Sequence, residues 1–62
     1  MANEPTMILI RYDGRTVLAD LAAFGKLHDR VADDFRTYGL QGEELDQAIY
    51  EETRRRAVTG EL

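Results

Sequence analysis

Hydrophobic side chains first cluster in a short run over residues 6–12, which is rich in β-branched and aromatic residues. A run of this length that ends at a turn signal predicts a β-strand rather than a helix. Asp13-Gly14 readily supplies the two positive φ angles of a type I′ turn, so residues 15–18 are predicted to return as a second strand. In that register Leu9 lies opposite Leu18, and both faces of the hairpin are apolar.

The same residues allow a second interpretation. Thr16 is a plausible helix N-cap, because its hydroxyl can accept a hydrogen bond from a free backbone N–H in the first turn. The helix would then begin at Val17 and leave a single strand in the chain. A single strand must pair with another copy or with a target to satisfy its backbone groups. The pattern favours the hairpin and leaves both alternatives open.

A stripe at helical spacing follows, and it is the strongest periodic signal in the chain. The steps alternate between four and three residues over roughly three heptads, which is typical of one apolar helix face. Gly25 lies in the middle of this helix, where it is expected to allow another backbone to approach closely. Gly39 is predicted to end the helix as a left-handed C-cap. The stripe consists of Val17, Leu21, Phe24, His28, Val31, Phe35 and Tyr38.

A second helix is predicted to begin after Gln41-Gly42 and to run to about Val58. Acidic residues lie in its first turn and three arginines in its last, as the helix dipole favours. Two ion pairs at i,i+4 spacing are expected near its end, Glu51 with Arg55 and Glu52 with Arg56.

The predicted fold class is therefore α+β: an N-terminal β-hairpin (or single strand) followed by two amphipathic antiparallel helices. Residues 1–6, with the only proline, are predicted to be a flexible arm. Residues 7–60 are predicted to form one small domain.

Length and composition limit how such a domain is stabilised. A chain of 62 residues buries only about 60% of the surface that its unfolded form exposes, so its core is marginal. The sequence contains no cysteine and one histidine, His28, which excludes disulfides and leaves too few ligands for a structural zinc site. A second subunit or a bound partner is the remaining source of stability.

Catalysis is not supported by the residues present. The chain has no serine and no cysteine, so nucleophilic triads lack their usual members. Asp29 and Asp33 lie on one turn of the first helix, but a solvated acidic face explains them better than acid–base chemistry does. We therefore expect no enzyme, no cofactor, no metal and no small-molecule substrate.

The net charge of −4 disfavours non-specific attraction to nucleic acid or to an anionic membrane. The longest apolar run, residues 7–10, is far too short to span a bilayer. Residues 1–6 lack the layout of a signal peptide. These features predict a cytoplasmic protein.

A marginal core and an acidic surface together indicate a non-catalytic protein-binding regulator or inhibitor, such as an antitoxin-like polypeptide or an accessory subunit. Its partner is expected to be another protein or its own copy in a homodimer. An apolar helix stripe or a strand edge is expected to make the contact. His28 is interpreted as a boundary residue rather than a pH-sensitive contact. The predicted partner-binding residues are Leu9, Phe24, His28, Val31, Phe35 and Tyr38.

Two other functions are kept as alternatives. A strand followed by two helices resembles the element order of the dimeric ribbon-helix-helix DNA-binding repressors, with Gly39-Leu40 similar to their inter-helix turn. The chain departs from that family in its Asp13-Gly14 turn, its longer first helix and a strand on which only Arg11 suits base contact. The other alternative is a phosphate-mimicking inhibitor with an acidic ridge of Asp29, Asp33, Asp34, Glu43, Glu44 and Asp46.

Overall fold

The computed structural model describes residues 4–62, and it shows a two-stranded antiparallel hairpin followed by two helices. The strands are β1 (Met7–Tyr12) and β2 (Arg15–Asp20), and the helices are α1 (Leu21–Phe35) and α2 (Gly42–Val58). The predicted α+β fold class is confirmed. Residues 1–3 of the predicted arm lie outside the described residues, whereas the Thr6 carbonyl already accepts a hydrogen bond from the Leu21 N–H at 2.8 Å.

The hairpin has the predicted register, with Leu9 opposite Leu18. Its two-residue turn has φ values of 49° at Asp13 and 76° at Gly14, as a type I′ turn requires. The single-strand alternative is therefore wrong, because β1 pairs with β2 along its whole length. Thr16 belongs to β2 and does not cap a helix.

Helix α1 begins later than the alternative with a Thr16 cap would place it. Its N-cap is Asp20, whose Oδ1 accepts a hydrogen bond from the Ala22 N–H at 2.8 Å. The stripe predicted from Val17 onward is thus divided between two elements, because Val17 lies in β2. The helix ends at Phe35, whereas Gly39, with a φ of 76°, lies in the connection beyond it. Gly39 is left-handed as predicted, but it does not cap α1.

Helix α2 ends at Val58 as predicted and begins at Gly42, one residue earlier than predicted. It starts after Gln41 in extended conformation, and Gly60 ends it with a φ of 94°. The Gly60 N–H donates to the Ala57 carbonyl at 3.2 Å, and the Glu61 N–H donates to the Arg56 carbonyl at 3.0 Å. This pair of bonds is the Schellman arrangement, which satisfies carbonyls left free at a helix C-terminus.

Helix α2 packs against both α1 and the hairpin, and it contacts the hairpin mainly through β1. Thr53 is fully buried in α2, where its hydroxyl donates to the Ile49 carbonyl at 2.6 Å. Apart from its chain neighbours and the backbone of its own helix, no described atom lies within 4 Å of a Cβ built at Gly25. The prediction that another backbone approaches Gly25 closely is therefore wrong for the described part of the chain. The core is formed by Ile10, Ala19, Phe24, Leu27, Val31, Ile49 and Ala57.

Candidate interaction surface

The outer side of the hairpin is apolar and exposed. Strand residues alternate between the two sides of a sheet, and Ile10 and Ala19 point inward and are buried. On the other side Leu9 is 61% exposed and Leu18 is 64% exposed. Met7 is also exposed there. We call the side chains of Met7, Leu9 and Leu18 the hairpin face.

The outer edge of β1 carries unpaired backbone groups. The two-residue turn makes Tyr12 and Arg15 a hydrogen-bonded pair. From there, hydrogen-bonded and non-hydrogen-bonded pairs alternate along the ladder. In an antiparallel ladder the intervening residues direct their N–H and C=O groups away from the partner strand. Met7, Leu9 and Arg11 therefore direct these groups to the free edge. Among residues 4–62, no hydrogen bond to the outward groups of Leu9 is present.

A groove of about 370 Å³ runs along this edge, and we call it the β1 groove. One wall comes from the start of α1 and the other from α2. Leu21 and Tyr50 are both about half exposed, at 47% and 51%, so each still presents apolar surface to solvent. The lining residues are Ile8, Leu9, Ile10, Arg11, Leu21, Phe24, Tyr50 and Arg54.

Two side chains of α2 shape the wall of the β1 groove. The Tyr50 ring meets the Phe24 ring edge to face, with centroids 6.2 Å apart. The Arg54 guanidinium lies 5.4 Å from the Tyr50 ring centroid and 5.8 Å from that of Tyr12. Arg54 Nε donates to the Arg11 carbonyl at 2.8 Å, and a second guanidinium nitrogen donates to the same oxygen. Arg54 therefore covers one end of the free edge.

The predicted partner-binding residues separate into three environments. Leu9 and Tyr38 are exposed, Tyr38 at 68%. His28 and Phe35 are half-buried, and the Phe35 ring meets the Tyr38 ring edge to face at 5.4 Å. Phe24 and Val31 are 9% and 0% exposed and belong to the core. The structure thus separates Leu9 from the helix stripe, and most of the stripe is used to pack α1 onto the rest of the chain.

The exposed Tyr38 borders an open hollow of about 660 Å³ between the end of α1 and α2, lined by Asp34, Phe35, Tyr38, Leu40, Glu52 and Arg56. Its charged groups are paired with one another. The Arg56 guanidinium contacts Glu52 at 2.9 Å and Asp34 at 3.1 Å. Hydrogen bonds from Arg55, assisted by those from Arg56, lower the pKa of Glu52 to about 2, and the same contacts raise the pKa values of both arginines.

Sequence reasoning missed several residues of the hairpin face and the β1 groove. The predicted register already placed Leu18 opposite Leu9 on an apolar face, so that signal was present. Tyr50 and Arg54 lie on the helix with the thinner apolar stripe, and no local pattern connects either residue to β1. The helical spacing predicts Leu21 to be part of the packed stripe, but α1 begins at this residue and leaves it exposed.

Within residues 4–62, no three His, Cys, Asp or Glu side chains are grouped as metal ligands. None of the helices in the described part of the chain is long and apolar enough to cross a membrane. No protein-family model matches the sequence, and comparisons with curated proteins and with solved structures found no significant match. The exposed apolar groups and the free edge are therefore the features on which a function can be argued.

Proposed function

We propose that this chain is a non-catalytic protein-binding module, acting as a regulator or inhibitor, that binds its partner through the hairpin face and the free edge of β1. One observation supports this proposal most directly. Leu9 and Leu18 lie opposite each other on the exposed side of the hairpin, directly beside unpaired backbone groups. A strand from a partner can use both, since its backbone pairs with the edge while its side chains cover the leucines.

The exposed leucines can supply part of the favourable free energy of binding. Burying a leucine side chain fully contributes about 1.5–3 kcal/mol, and Leu9 and Leu18 each still expose more than half of their surface. Non-hydrogen-bonded antiparallel pairs such as Leu9 and Leu18 hold their side chains close together. The two leucines therefore present one continuous apolar contact rather than two isolated ones.

The arginines at the end of α2 do not favour the DNA-binding alternative. Arg54 is held by the Arg11 carbonyl and by Glu51, at 2.8 Å in each case. Arg55 and Arg56 both contact Glu52. A phosphate-binding surface needs cations that are available to the backbone of the nucleic acid, and these guanidinium groups already have carboxylate or carbonyl partners.

Site-specific photo-crosslinking tests the proposal. A benzophenone amino acid replaces Leu18 in one variant and Leu62 in the control, since Leu62 is also exposed, at 45%, but lies beyond α2. We expect a discrete protein adduct from position 18 in cells that express the chain, and none from position 62. Equal labelling from both positions, or no adduct from position 18, would contradict the proposal.

A pair of polar substitutions supplies an independent check. Leu18→Thr introduces a β-branched side chain that suits a strand, and because Leu18 is exposed the folded state should lose little stability. The adduct formed from a benzophenone at position 9 should then weaken. Tyr38→Ser is the matched control, because it removes an equally exposed apolar side chain from the hollow between the helices and should leave that adduct unchanged.

A further inference from the structure

We propose that the β1 groove receives a second copy of this chain, so that the two β1 strands pair antiparallel about a two-fold axis at Ile8 and form a four-stranded sheet. This inference rests on the proposed function, because it names the partner of the same edge. Its support is the self-complementarity of β1, which appears in the hydrogen bonds, the apolar contacts and the charges.

The hydrogen-bonding groups define the register. With Ile8 on the axis, Met7 of each copy lies opposite Leu9 of the other. Both residues direct their N–H and C=O groups outward, so the two equivalent pairs make hydrogen bonds in both directions, as an antiparallel ladder requires. The pairing satisfies the outward groups of Leu9 that have no partner among the described residues of one chain.

The ends of the ladder also match in this register. Arg11 of one copy lies opposite Pro5 of the other, at the next outward-facing position. The Arg11 carbonyl already accepts from Arg54, and Pro5 has no N–H to donate to it. The Arg11 N–H remains free to donate to the Pro5 carbonyl.

The neighbouring registers fit less well. Outward-facing residues recur every second position, so the next registers are shifted by two residues. A shift in one direction places Met7 opposite Arg11, where the Met7 N–H competes with Arg54 for the Arg11 carbonyl. A shift in the other direction places Leu9 opposite Pro5, which has no N–H to donate to the Leu9 carbonyl.

Apolar surfaces meet on both sides of the new pairing. On the inner side the two half-buried Ile8 side chains pack against each other at the axis, and the second strand covers Leu21 and Tyr50. On the outer side Leu18 and Leu9 of one copy continue into Met7 of the other. Such cross-strand neighbours are within contact distance on one face of a sheet.

The charges around the edge suit an antiparallel copy. Residues 7–10 carry no charge, so no like charges face each other at the centre of the pairing. Arg11 lies near one end of β1, and Asp20 lies opposite Met7 at the other end. Antiparallel pairing therefore brings the basic end of each copy toward the acidic end of the other, whereas parallel pairing would place like charges together.

The test measures self-association of the full chain by sedimentation velocity over a roughly hundredfold range of concentration. Leu9→Pro removes an outward N–H from the free edge of β1. Thr16→Pro makes the same change at the opposite edge, on β2, because Thr16 lies opposite Arg11 in the ladder, and Thr16 belongs to neither the hairpin face nor the β1 groove. We expect a dimer for the wild type and for Thr16→Pro, and an association weakened about tenfold or more for Leu9→Pro. Circular dichroism verifies that each variant is folded.

A cysteine variant tests the register without a proline, should Leu9→Pro fail to fold. The chain contains no cysteine, so an introduced cysteine can pair only with its equivalent in a second copy. In the proposed dimer the two Ile8 residues face each other at the two-fold axis as a non-hydrogen-bonded pair, and the distance within such a pair can be spanned by a disulfide. Ile8→Cys should therefore form a covalent dimer under mild oxidation, whereas Thr16→Cys, on β2, should remain without a disulfide.

The outcomes distinguish the two proposals. The second-copy inference is overturned if the wild type stays monomeric at every concentration. It is also overturned if the dimer of a folded Leu9→Pro variant is as strong as that of the wild type, or if the Ile8→Cys variant forms no disulfide. If position 18 nevertheless crosslinks to a different protein, the proposed function stands and only the second-copy inference fails. If no association and no crosslink of either kind is found, both proposals fail.

Discussion

The guanidinium group of Arg54 donates to the main-chain carbonyl of Arg11, 43 residues earlier in the chain. In a larger sheet this carbonyl would accept from the N–H of a neighbouring strand. Arg54 takes the place of that N–H and joins α2 to the edge of β1. Its contacts with the rings of Tyr12 and Tyr50 hold the guanidinium plane in position, since cations are attracted to aromatic faces.

Replacing Arg54 by methionine keeps the apolar stem and removes the donors. We expect a loss of about 1–2 kcal/mol in the free energy of unfolding, because the Arg11 carbonyl loses a charged partner. Arg36→Met is the control, since its pair with Asp33 is 3.1 Å long but its side chain is 77% exposed. That variant should lose less than about 0.5 kcal/mol. Urea unfolding of both proteins measures the difference, and equal losses would contradict the role given to Arg54.

Two glycine-to-alanine substitutions should have effects of opposite sign. Gly14 has a φ of 76° in the hairpin turn, so Gly14→Ala is expected to cost about 1–2 kcal/mol from left-handed strain. Gly25 lies within α1, and a Cβ there meets no atom within 4 Å. Gly25→Ala should therefore stabilise the chain by about 0.5–1 kcal/mol. Thermal unfolding of the two variants beside the wild type checks both signs, and a destabilised Gly25→Ala would show that the residue has a contact elsewhere.

The apolar positions of α1 and of its C-terminal connection should respond unequally to truncation. Leu27 is 1% exposed, so Leu27→Ala is expected to cost about 2–5 kcal/mol, a large share of the stability of a small domain. Tyr38 is 68% exposed, and Tyr38→Ala should cost less than about 1 kcal/mol. Chemical denaturation followed by circular dichroism measures both losses. A large loss for Tyr38→Ala would place its ring in the core.

Acid should remove the contribution of Glu52 to stability. Its pKa falls from 4.5 in the unfolded chain to about 2 in the folded one, with the hydrogen bond from Arg55 as the largest cause. A depressed carboxyl pKa stabilises the folded state above the unfolded value, and this stabilisation is lost as the pH falls through the folded value. At pH 7 the free energy of unfolding of the wild type should therefore be about 1 kcal/mol larger than that of Glu52→Gln. This difference should disappear as the pH falls from 4.5 to 2.

Unfolding of wild type and Glu52→Gln at a series of pH values measures this difference. Asp29→Asn serves as the control, because Asp29 makes no ion pair among the described residues. Its stability difference from the wild type should change much less over the same pH range. A Glu52→Gln difference that persists at pH 2 would mean that packing, rather than charge, explains the role of Glu52.

Much of the fold can be predicted from local signals in the sequence. Asp13-Gly14 predicts the turn, and the turn determines the register that places Leu9 opposite Leu18. Gly60 lies just beyond the end of α2 as expected, and the start of α2 differs from the prediction by one residue. The start of α1 was harder to locate, because Val17 lies at the right spacing for the helix stripe but is taken into β2. Asp20 determines the boundary, since its carboxylate accepts from the first turn of α1.

The candidate surface was less predictable because it depends on contacts between distant elements. Helical spacing placed Phe24 and Val31 on one face but did not show that α2 would cover them. Tyr50 reaches Phe24 only because α2 packs against α1 and the hairpin. Of the two predicted ion pairs in α2, the one between Glu52 and Arg56 is present, whereas Glu51 contacts Arg54 rather than Arg55.

The position of α2 has a consequence for the order of folding. The hairpin and α1 are synthesised first, yet α2 supplies most of the surface against which both of them pack. Before the residues of α2 have emerged from the ribosome, a nascent chain can form the hairpin turn and a helical segment but cannot bury its core side chains. Productive folding is therefore expected to be late and cooperative, with α2 converting two weakly stable pieces into one unit.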